Sequence, residues 1–304
     1  MTAVAEPLSR CVVVGGAGAV GGMLVESFVR SGGDVCAVDV AAREHAAPAR
    51  HRWLRADVTA MNPRLAAELG RADVVVLAVP ETVALAAVGP VAEAMRPGAL
   101  LVDTLSVKRR IVDAARTHAA ELDVVSLNPM FAPSLRMEGR PVATVVVHDG
   151  PRARELLRLL DTWGGRVVRL DADEHDRLAA ATQALTHAAV LAFGLALGGI
   201  DVGAADIGAL APPPHTLLLA LLARIASGTP ATYWDVQSAN PYAAPARRAL
   251  ADGLRRLAAL VDDGDERAFA DMLAEIRDLL GPDLDHYRDL CARTFATTTG
   301  PTGR

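Results

Sequence analysis

Cysteine is scarce in this chain of 304 residues, and its distribution excludes two kinds of stabilising site. The three cysteines, Cys11, Cys36 and Cys291, are odd in number and far apart, and none lies in a metal-ligand pattern. The sequence therefore predicts neither a disulfide framework nor a zinc or other metal site. Such cysteine usage is typical of the reducing cytosol, so we expect a cytoplasmic protein.

The chain also lacks a block of like charge and a basic leader. Its net charge of −5 disfavours binding to nucleic acid phosphates. The first ten residues carry no basic region of the kind that begins a signal peptide. One uncharged stretch, Leu178 to Ile200, is long enough to cross a bilayer. Polar residues within it and charged residues at its ends favour a buried helix, so no membrane partner is expected.

Strand and helix patterns alternate over residues 1–171. A β-branched run at Cys11–Val14 leads into a glycine-rich segment, a helical pattern over Met23–Arg30 and a strand over Asp34–Asp39. Further strands are expected at Asp73–Val79, Ala99–Asp103, Val124–Val125, Thr144–Val147 and Arg166–Leu170, with helices at Thr82–Met95 and Ala153–Trp163. This alternation predicts an α/β domain of Rossmann type, with a doubly wound parallel sheet.

Residues 172–304 are expected to form an all-α domain. Helical patterns cover Glu174–Leu197, Leu217–Ala226, Pro245–Asp262 and Glu266–Leu280. Their apolar faces are wider than one small bundle needs, so a second copy of the chain is expected to cover the excess. The sequence therefore predicts a homodimer built on this domain.

Gly16, Gly18 and Gly21 form a G-x-G-x-x-G motif between a strand and a helix, the context of a dinucleotide site. Gly16 permits a tight turn, Gly18 lets the backbone approach a pyrophosphate, and Gly21 lets helix and strand pack closely. Asp39 ends the second strand, where a carboxylate accepts the ribose hydroxyls of NAD and repels the 2′-phosphate of NADP. Arg43 lies close enough to weaken that preference.

Three more residues are expected to contact the cofactor. Val20 lies within the motif, between Gly18 and Gly21, and Val79 and Pro80 end a strand whose carboxyl end reaches the same crevice. Together these features predict NAD as the cofactor. The alternative is a glycine-rich turn that binds no ligand.

Three further segments carry polar side chains in a distinctive order. They are Asp103 to Lys108, the turn Asn128-Pro129-Met130-Phe131, and the helix that begins with Glu174-His175-Asp176. Together with the glycine motif they resemble the prephenate dehydrogenase family, from Cys11 to about Tyr287. The resemblance implies an NAD-dependent dehydrogenase that oxidatively decarboxylates a small substrate with two carboxylates.

Asn128 departs from this family. Members carry a histidine immediately before Pro-Met, and that histidine takes the proton of the substrate's ring hydroxyl as hydride leaves the same carbon. An amide has no useful pKa, although it keeps one acceptor and two donors. The resemblance and this substitution together imply that the substrate is the 4-amino analogue, 4-amino-4-deoxyprephenate, and that the product is 4-aminophenylpyruvate. Such a product would enter specialised metabolism, for example antibiotic biosynthesis.

Two alternatives remain open. The chain could be an ordinary prephenate or arogenate dehydrogenase of tyrosine biosynthesis that tolerates Asn128, or a catalytically silent NAD-binding protein with a regulatory role. The retained Ser106, Lys108 and Pro-Met-Phe segment argue against the silent protein.

Asn128, Ser106 and Lys108 are the predicted catalytic residues. Lys108 is the chain's only lysine, which favours a role near the ring carboxylate or the cofactor over a place on the surface. Ser106 is expected to hydrogen-bond the nicotinamide or Asn128, or alternatively to cap the following helix.

The predicted substrate-binding residues are Gln183, His187, Arg136, Gln237 and Asn240. Gln183 and His187 match substrate-pocket positions of the family, and a core histidine is the alternative for His187. A dicarboxylate requires a well-placed arginine. The candidates are Arg136 and Arg140 after the Pro-Met-Phe turn, and Arg247 or Arg248 in the segment after Asn240. Relatives often carry an arginine near this last segment, where the present chain has Trp234 or Tyr242. For Glu174, His175 and Asp176, capping of their own helix is favoured over catalysis.

Overall fold

The computed structural model describes residues 7–42, 50–201 and 203–297. Contacts divide the chain into two compact units, one ending at Ala179 and one beginning at Ala180. The sequence predicts a boundary at residue 171, where strands give way to helices. The division by contacts lies eight residues later, because the helix Ala172–Ala179 packs on the first unit.

Among the residues that the structure describes, one sheet of eight strands forms the centre of the first unit. The strands are β1 Arg10–Val14, β2 Asp34–Asp39, β3 Arg52–Arg55, β4 Val74–Leu77, β5 Leu100–Asp103, β6 Asp123–Pro129, β7 Pro141–His148 and β8 Arg166–Arg169. Their order is β3-β2-β1-β4-β5-β6-β7-β8. The strand order reverses between β1 and β4, and the carboxyl ends of these strands therefore form the crevice where α/β sheets bind ligands.

The predicted α/β class is confirmed, with one strand direction that differs from the prediction. The sheet is parallel from β3 to β6, but β7 runs antiparallel to β6. The connection between them, residues 130–140, contains no helix. A parallel return needs a crossover of about a dozen residues or more, usually helical, so this short loop reverses the chain instead.

Within the described part of the first unit, six helices cover the two faces of the sheet. They are α1 Ala19–Arg30, α2 Pro63–Arg71, α3 Glu81–Ala94, α4 Arg109–His118, α5 Pro151–Thr162 and α6 Ala172–Ala179. Alternate residues of β1 point to opposite faces. Val12 and Val14 pack in one apolar core with α2, α3 and α4, while Cys11 and Val13 pack in another with α1 and α5. The sequence patterns did not predict β3, α2 or α4.

In residues 180–201 and 203–297 of the second unit, all regular structure is helical. It begins with a π-helical segment, Ala180–Ala184, which is followed by α7 Leu185–Gly198, α8 Ala204–Leu210, α9 Pro213–Ala226, α10 Pro230–Ser238, α11 Ala243–Asp262, α12 Glu266–Leu280, a 3₁₀ turn at Gly281–Asp283 and α13 Leu284–Thr297. The all-α class is confirmed. Helices α8, α10 and α13 are additions to the prediction.

The apolar helices of this unit are poorly covered within one chain. Among the described residues of α7 only Val190 is buried, and α12 and α13 bury none. The prediction of a buried helix across Leu178–Ile200 is therefore wrong for the single chain. The helical stretch Ala172–Gly198 is long and apolar enough to cross a membrane, judged by length and composition alone.

Candidate active site

The glycine-rich turn after β1 brings three backbone segments very close together. Gly15 has a φ of +81°, and a Cβ built on it would lie 2.1 Å from the carbonyl oxygen of Ala78. A Cβ on Gly21 would lie 2.1 Å from the carbonyl oxygen of Gly15. The tight turn expected at Gly16 therefore lies one residue earlier, at Gly15, where a side chain would be both strained and obstructed.

The other motif positions keep the turn narrow and its backbone open. A Cβ on Gly16 would come within 2.7 Å of the Ala37 Cβ on β2, whereas Gly18, the N-cap of α1, is exposed. The first turn of α1 carries N–H groups that have no acceptor within the helix, so its N-terminus favours an anion. Bare backbone at a helix N-terminus fits the pyrophosphate of a dinucleotide.

Asp39 lies beside this turn at the end of β2. Its Oδ2 accepts a hydrogen bond from the Ala17 N–H at 3.0 Å, and its Oδ1 accepts one from the Ala41 N–H at 3.0 Å. The carboxylate is thus fixed next to the glycine motif, where the sequence places a ribose-binding group. Arg43, expected to weaken the preference for NAD, lies outside the described residues.

The remaining predicted cofactor contacts lie around the same crevice. Val20 and Val79 are half-buried, and Pro80 is exposed as the N-cap of α3. Val79 Cγ1 would be 3.1 Å from a Cβ on Gly15, so β4 ends against the glycine turn. Gly15 itself was missed, although the double glycine after the strand was a visible signal.

Asn128 lies near the end of β6, and its side chain contacts a histidine of α6. The residue is 3% exposed, and its Nδ2 lies 3.1 Å from Nε2 of His175. His175 is 1% exposed, and its Nδ1 lies 2.9 Å from Oδ1 of Asp176. The structure therefore brings the predicted catalytic amide into a buried Asn-His-Asp series.

Asp176 caps a helix other than its own. Its Oδ1 accepts from the Lys108 N–H at 2.7 Å and its Oδ2 from the Arg109 N–H at 3.0 Å, both at the start of α4. The N-terminus of α6 is instead capped by Asp171, whose Oδ1 accepts from the Glu174 N–H. The prediction that Asp176 caps its own helix is wrong, because α6 packs with Asp176 directed at α4.

Lys108 is completely buried and holds three parts of the first unit together. Its Nζ donates to the carbonyl oxygens of Leu105 at 2.6 Å and Leu127 at 2.7 Å, and to Oδ1 of Asp103 at 3.2 Å. Three acceptors match the three donors of an ammonium group. Burial lowers the pKa of Lys108, and Asp103 and Asp176 oppose that shift. The surface-lysine alternative is wrong, and direct contact with substrate or cofactor is not what this geometry favours.

Ser106 is half-buried in the connection between β5 and α4. Helix α4 begins at Arg109 with Lys108 as its N-cap residue, so the alternative of Ser106 as a helix cap is wrong. Its predicted hydrogen bond to the nicotinamide or to Asn128 stays a prediction.

In the second unit, the predicted residues Gln183, Gln237 and Arg247 lie in or beside the π-helical segment Ala180–Ala184. Gln237 Nε2 donates to the Ala184 carbonyl at 2.8 Å, and Arg247 Nη1 donates to Gln237 Oε1 at 2.8 Å and to its carbonyl at 2.7 Å. Gln183 lies within the segment, and its Oε1 is buried with no partner among the described residues. π-Helical turns are frequent at functional sites, which makes this cluster a candidate binding surface.

The contacts of His187 and Asn240 belong to side-chain packing and to a turn. The His187 ring packs edge to face on Tyr233 at 5.0 Å, and burial, with a smaller contribution from Arg224, lowers its pKa. Asn240 is buried, and its Oδ1 accepts from the Tyr242 N–H in the turn before α11.

The remaining arginine candidates lie at the surface. Arg136, whose side chain is 83% exposed, pairs with Glu138, and Arg140 Nε donates to the Arg136 carbonyl. Arg248 is exposed on α11, and Trp234 is exposed on α10. Arg247 is the candidate arginine that is hydrogen-bonded to Gln237 beside the π-helical segment.

The first unit has a mainly parallel sheet with a glycine turn where the strand order reverses, and a helical unit follows it. This combination is typical of nucleotide-binding dehydrogenases. Family models described as prephenate dehydrogenase, nucleotide-binding domain, and prephenate dehydrogenase, dimerization domain, match residues 32–140 and 171–275. The chain belongs to the prephenate dehydrogenase family. The predicted resemblance and the prediction of a dehydrogenase are confirmed.

Individual relatives agree with this assignment. The chain is 56% identical over 289 residues to a 4-amino-4-deoxyprephenate dehydrogenase of Streptomyces pristinaespiralis, covering 94% of this chain and 96% of the relative. It is 27% identical to a probable arogenate/prephenate dehydrogenase of Methanocaldococcus jannaschii, covering 67% of this chain and 47% of that one. In fold it is similar to Aquifex aeolicus prephenate dehydrogenase in complex with hydroxyphenyl propionate and NAD+, with a TM-score of 0.71, 18% identity and coverage of 90% and 97%.

Replacing Lys108 with methionine should destabilise the first unit strongly. The change leaves the buried Asp103 carboxylate without its cation, which typically costs about 3–5 kcal/mol. Urea denaturation followed by circular dichroism measures the loss. The double variant Lys108→Met/Asp103→Asn should recover part of it, because the uncompensated charge is then gone. Arg116→Met, which removes an exposed partner of Asp113, is the control and should change stability by less than about 1 kcal/mol. Wild-type stability for Lys108→Met would contradict the structural role.

Proposed function

We propose that this protein oxidises 4-amino-4-deoxyprephenate with NAD and releases CO2, giving 4-aminophenylpyruvate. The observation that carries the proposal is Asn128: a neutral amide, rather than a histidine, stands before Pro-Met, and it is buried and held by His175. The relative from Streptomyces pristinaespiralis bears the corresponding name and is 56% identical over nearly its whole length.

The residues around the glycine turn fit the cofactor. Gly16, Gly18 and the N-terminus of α1 would hold the pyrophosphate, and Asp39 would bind the ribose hydroxyls. When bound, NAD supplies the hydride acceptor of the reaction. All other chemical demands fall on the substrate and on the side chains of this chain.

Asn128 suits an amino substrate because that substrate needs no base in the redox step. The lone pair of a neutral amine can assist departure of hydride from the ring carbon and form an iminium. Loss of the ring carboxylate as CO2 then returns an electron pair to the ring and yields an aromatic amine. A hydroxyl substrate must instead lose a proton, and an amide cannot take it. Asn128 can accept an N–H hydrogen bond and adds no charge beside the developing cation.

Arg247 is our candidate for binding one of the two substrate carboxylates. Gln237 holds its guanidinium through two acceptors, and Gln237 is itself tied to the π-helical segment that contains Gln183. Arginine binds carboxylates in bidentate geometry, and a preorganised guanidinium loses less entropy on binding.

We further propose a cytoplasmic homodimer. Support for the dimer comes from the match to a dimerization domain and from the exposed apolar side chains of Leu195, Leu221 and Leu254 in the second unit. Support for the compartment comes from the cysteines, all three of which are free thiols.

The cofactor preference can be tested at Asp39. Wild-type protein should use NAD with a kcat/KM at least about tenfold above that for NADP, since the carboxylate opposes a 2′-phosphate. Asp39→Asn should reduce this ratio, because the charge is lost while one acceptor for the turn remains. Initial rates with both cofactors measure it, with the exposed Asp113→Asn as the control. Equal use of both cofactors by wild type would contradict the role of Asp39.

Asn128→His should shift activity toward prephenate. The new imidazole can take the hydroxyl proton, so kcat/KM for prephenate should rise about tenfold or more. Turnover of the amino substrate should fall, although a neutral imidazole could still accept an N–H bond. NADH formation by both proteins on both substrates measures the change. If wild type prefers prephenate, or the variant gains nothing, an ordinary prephenate dehydrogenase becomes the better assignment.

Light scattering should give twice the chain mass of 31.8 kDa at micromolar concentration. Replacing exposed Leu195 and Leu221 with glutamine should favour the monomer, because exposed apolar area drives association. The matched control replaces exposed Arg255 and Arg288 with glutamine. A wild-type monomer, or recovery of the protein with membranes, would contradict a soluble homodimer.

A further inference from the structure

The buried hydrogen bonds of His175 determine which nitrogen carries its proton. The ring is placed between two side chains, with Nδ1 at 2.9 Å from Asp176 Oδ1 and Nε2 at 3.1 Å from Asn128 Nδ2. A carboxylate oxygen at hydrogen-bond distance requires N–H at Nδ1. In a neutral imidazole, Nε2 then bears the lone pair and can only accept.

The orientation of the Asn128 amide follows from that tautomer. Only the NH2 group of the amide can donate to a lone pair at Nε2, so Nδ2 faces His175 and Oδ1 lies on the other branch of the amide. The reverse orientation would need N–H at Nε2 and would leave the lone pair of Nδ1 against the Asp176 carboxylate. Asp176 in turn is fixed, because its two oxygens accept from the Lys108 and Arg109 N–H groups at the start of α4.

We propose that His175 and Asp176 are positioning residues that hold the Asn128 amide with Oδ1 directed to the 4-amino group of the substrate. This inference rests on the proposed function and extends it to two residues that do not touch the substrate. An acceptor held in this direction accepts an N–H of the amine and leaves the amine lone pair available to assist departure of hydride. An amide free to turn would also donate its NH2 to that lone pair, so oxidation of the amino substrate would slow and its advantage over prephenate would fall.

The proposal also gives a pH dependence. The charged groups that face His175 are Asp176 on its own helix, Lys108 at the start of α4 and Asp103 at the end of β5. Burial lowers the pKa of His175; Lys108 adds to the shift, while Asp176 and Asp103 oppose it. The ring is therefore neutral at pH 7. In acid, below the usual histidine pKa of about 6.5, both nitrogens become donors and Oδ1 must turn toward Nε2.

Two substitutions at His175 separate orientation from packing. A glutamine places its terminal amide near the Nε2 position and can still accept from Asn128, whereas an asparagine reaches only the Nδ1 position near Asp176. With the amino substrate, His175→Gln should keep most of kcat/KM, while His175→Asn should lose about 10- to 100-fold, mainly in kcat. The preference for the amino substrate over prephenate should also fall in His175→Asn.

His148→Gln is the matched control. His148 lies on β7, half-buried and hydrogen-bonded to the Ala119 carbonyl, outside the Asn-His-Asp series. Its replacement should leave kcat/KM and the substrate preference unchanged. The acidic fall in activity that belongs to His175 should be absent from the pH profile of His175→Gln and present in that of His148→Gln.

A spectroscopic measurement tests the tautomer without any loss of folding. In protein labelled with ¹⁵N-histidine, the Nε2 signal assigned to His175 by comparison with His175→Gln should be that of an unprotonated ring nitrogen at pH 7–8. A proton on Nε2 would overturn the proposal. Wild-type kcat/KM, preference and pH profile in both variants would overturn it as well. Failure of the wild type to oxidise the amino substrate would instead refute the proposed function.

Discussion

The buried ammonium group of Lys108 is the interaction on which the arrangement of the first unit depends. Its three donors join the end of β5 through Asp103, the following connection through Leu105, and β6 through Leu127, the residue before Asn128. A completely buried charge is tolerated only when it is paired and fully hydrogen-bonded. The ion therefore fixes the backbone on which the candidate catalytic amide is carried. An arginine fork is larger and planar, and could not direct three bonds from one nitrogen.

Lys108 is also connected to the Asn128 amide through Asp176 and His175. The backbone N–H of Lys108, at the N-cap of α4, donates to the Asp176 carboxylate, which also orients His175. Asp103 and Asp176 thus place two negative charges near one ammonium, and the helix N-terminus and the His175 ring N–H compensate the second carboxylate. Every member of this set is buried, so each group is held in one place by its partners. That rigidity is what a neutral amide needs if it is to discriminate between donors and acceptors.

The sequence predicted the fold class and the main strands because buried β-branched runs and the glycine motif are local signals. It did not predict β3 or α4, because Arg52–Arg55 is only four residues long with an arginine at each end, and Arg109–His118 is largely polar. Asn128 was recognised from its place before Pro-Met. The partnership of His175 with Asn128 could not be, because the two residues are 47 positions apart and meet only after α6 has packed. A lone lysine in an arginine-rich chain was the one available signal of the buried ion.

His175 raises the question of why an enzyme with an imidazole beside its amide would not use that imidazole as a base. The lone pair of Nε2 is occupied by the Asn128 NH2 group, and the ring is buried, so a substrate proton has no direct path to it. A histidine at position 128 would donate its own N–H to the same lone pair and keep its second nitrogen free as a base. The Asp176–His175 pair can therefore orient either side chain. Under the proposed function, exchange of this one residue would change the chemistry offered to the substrate while the Asp176–His175 support remains in place.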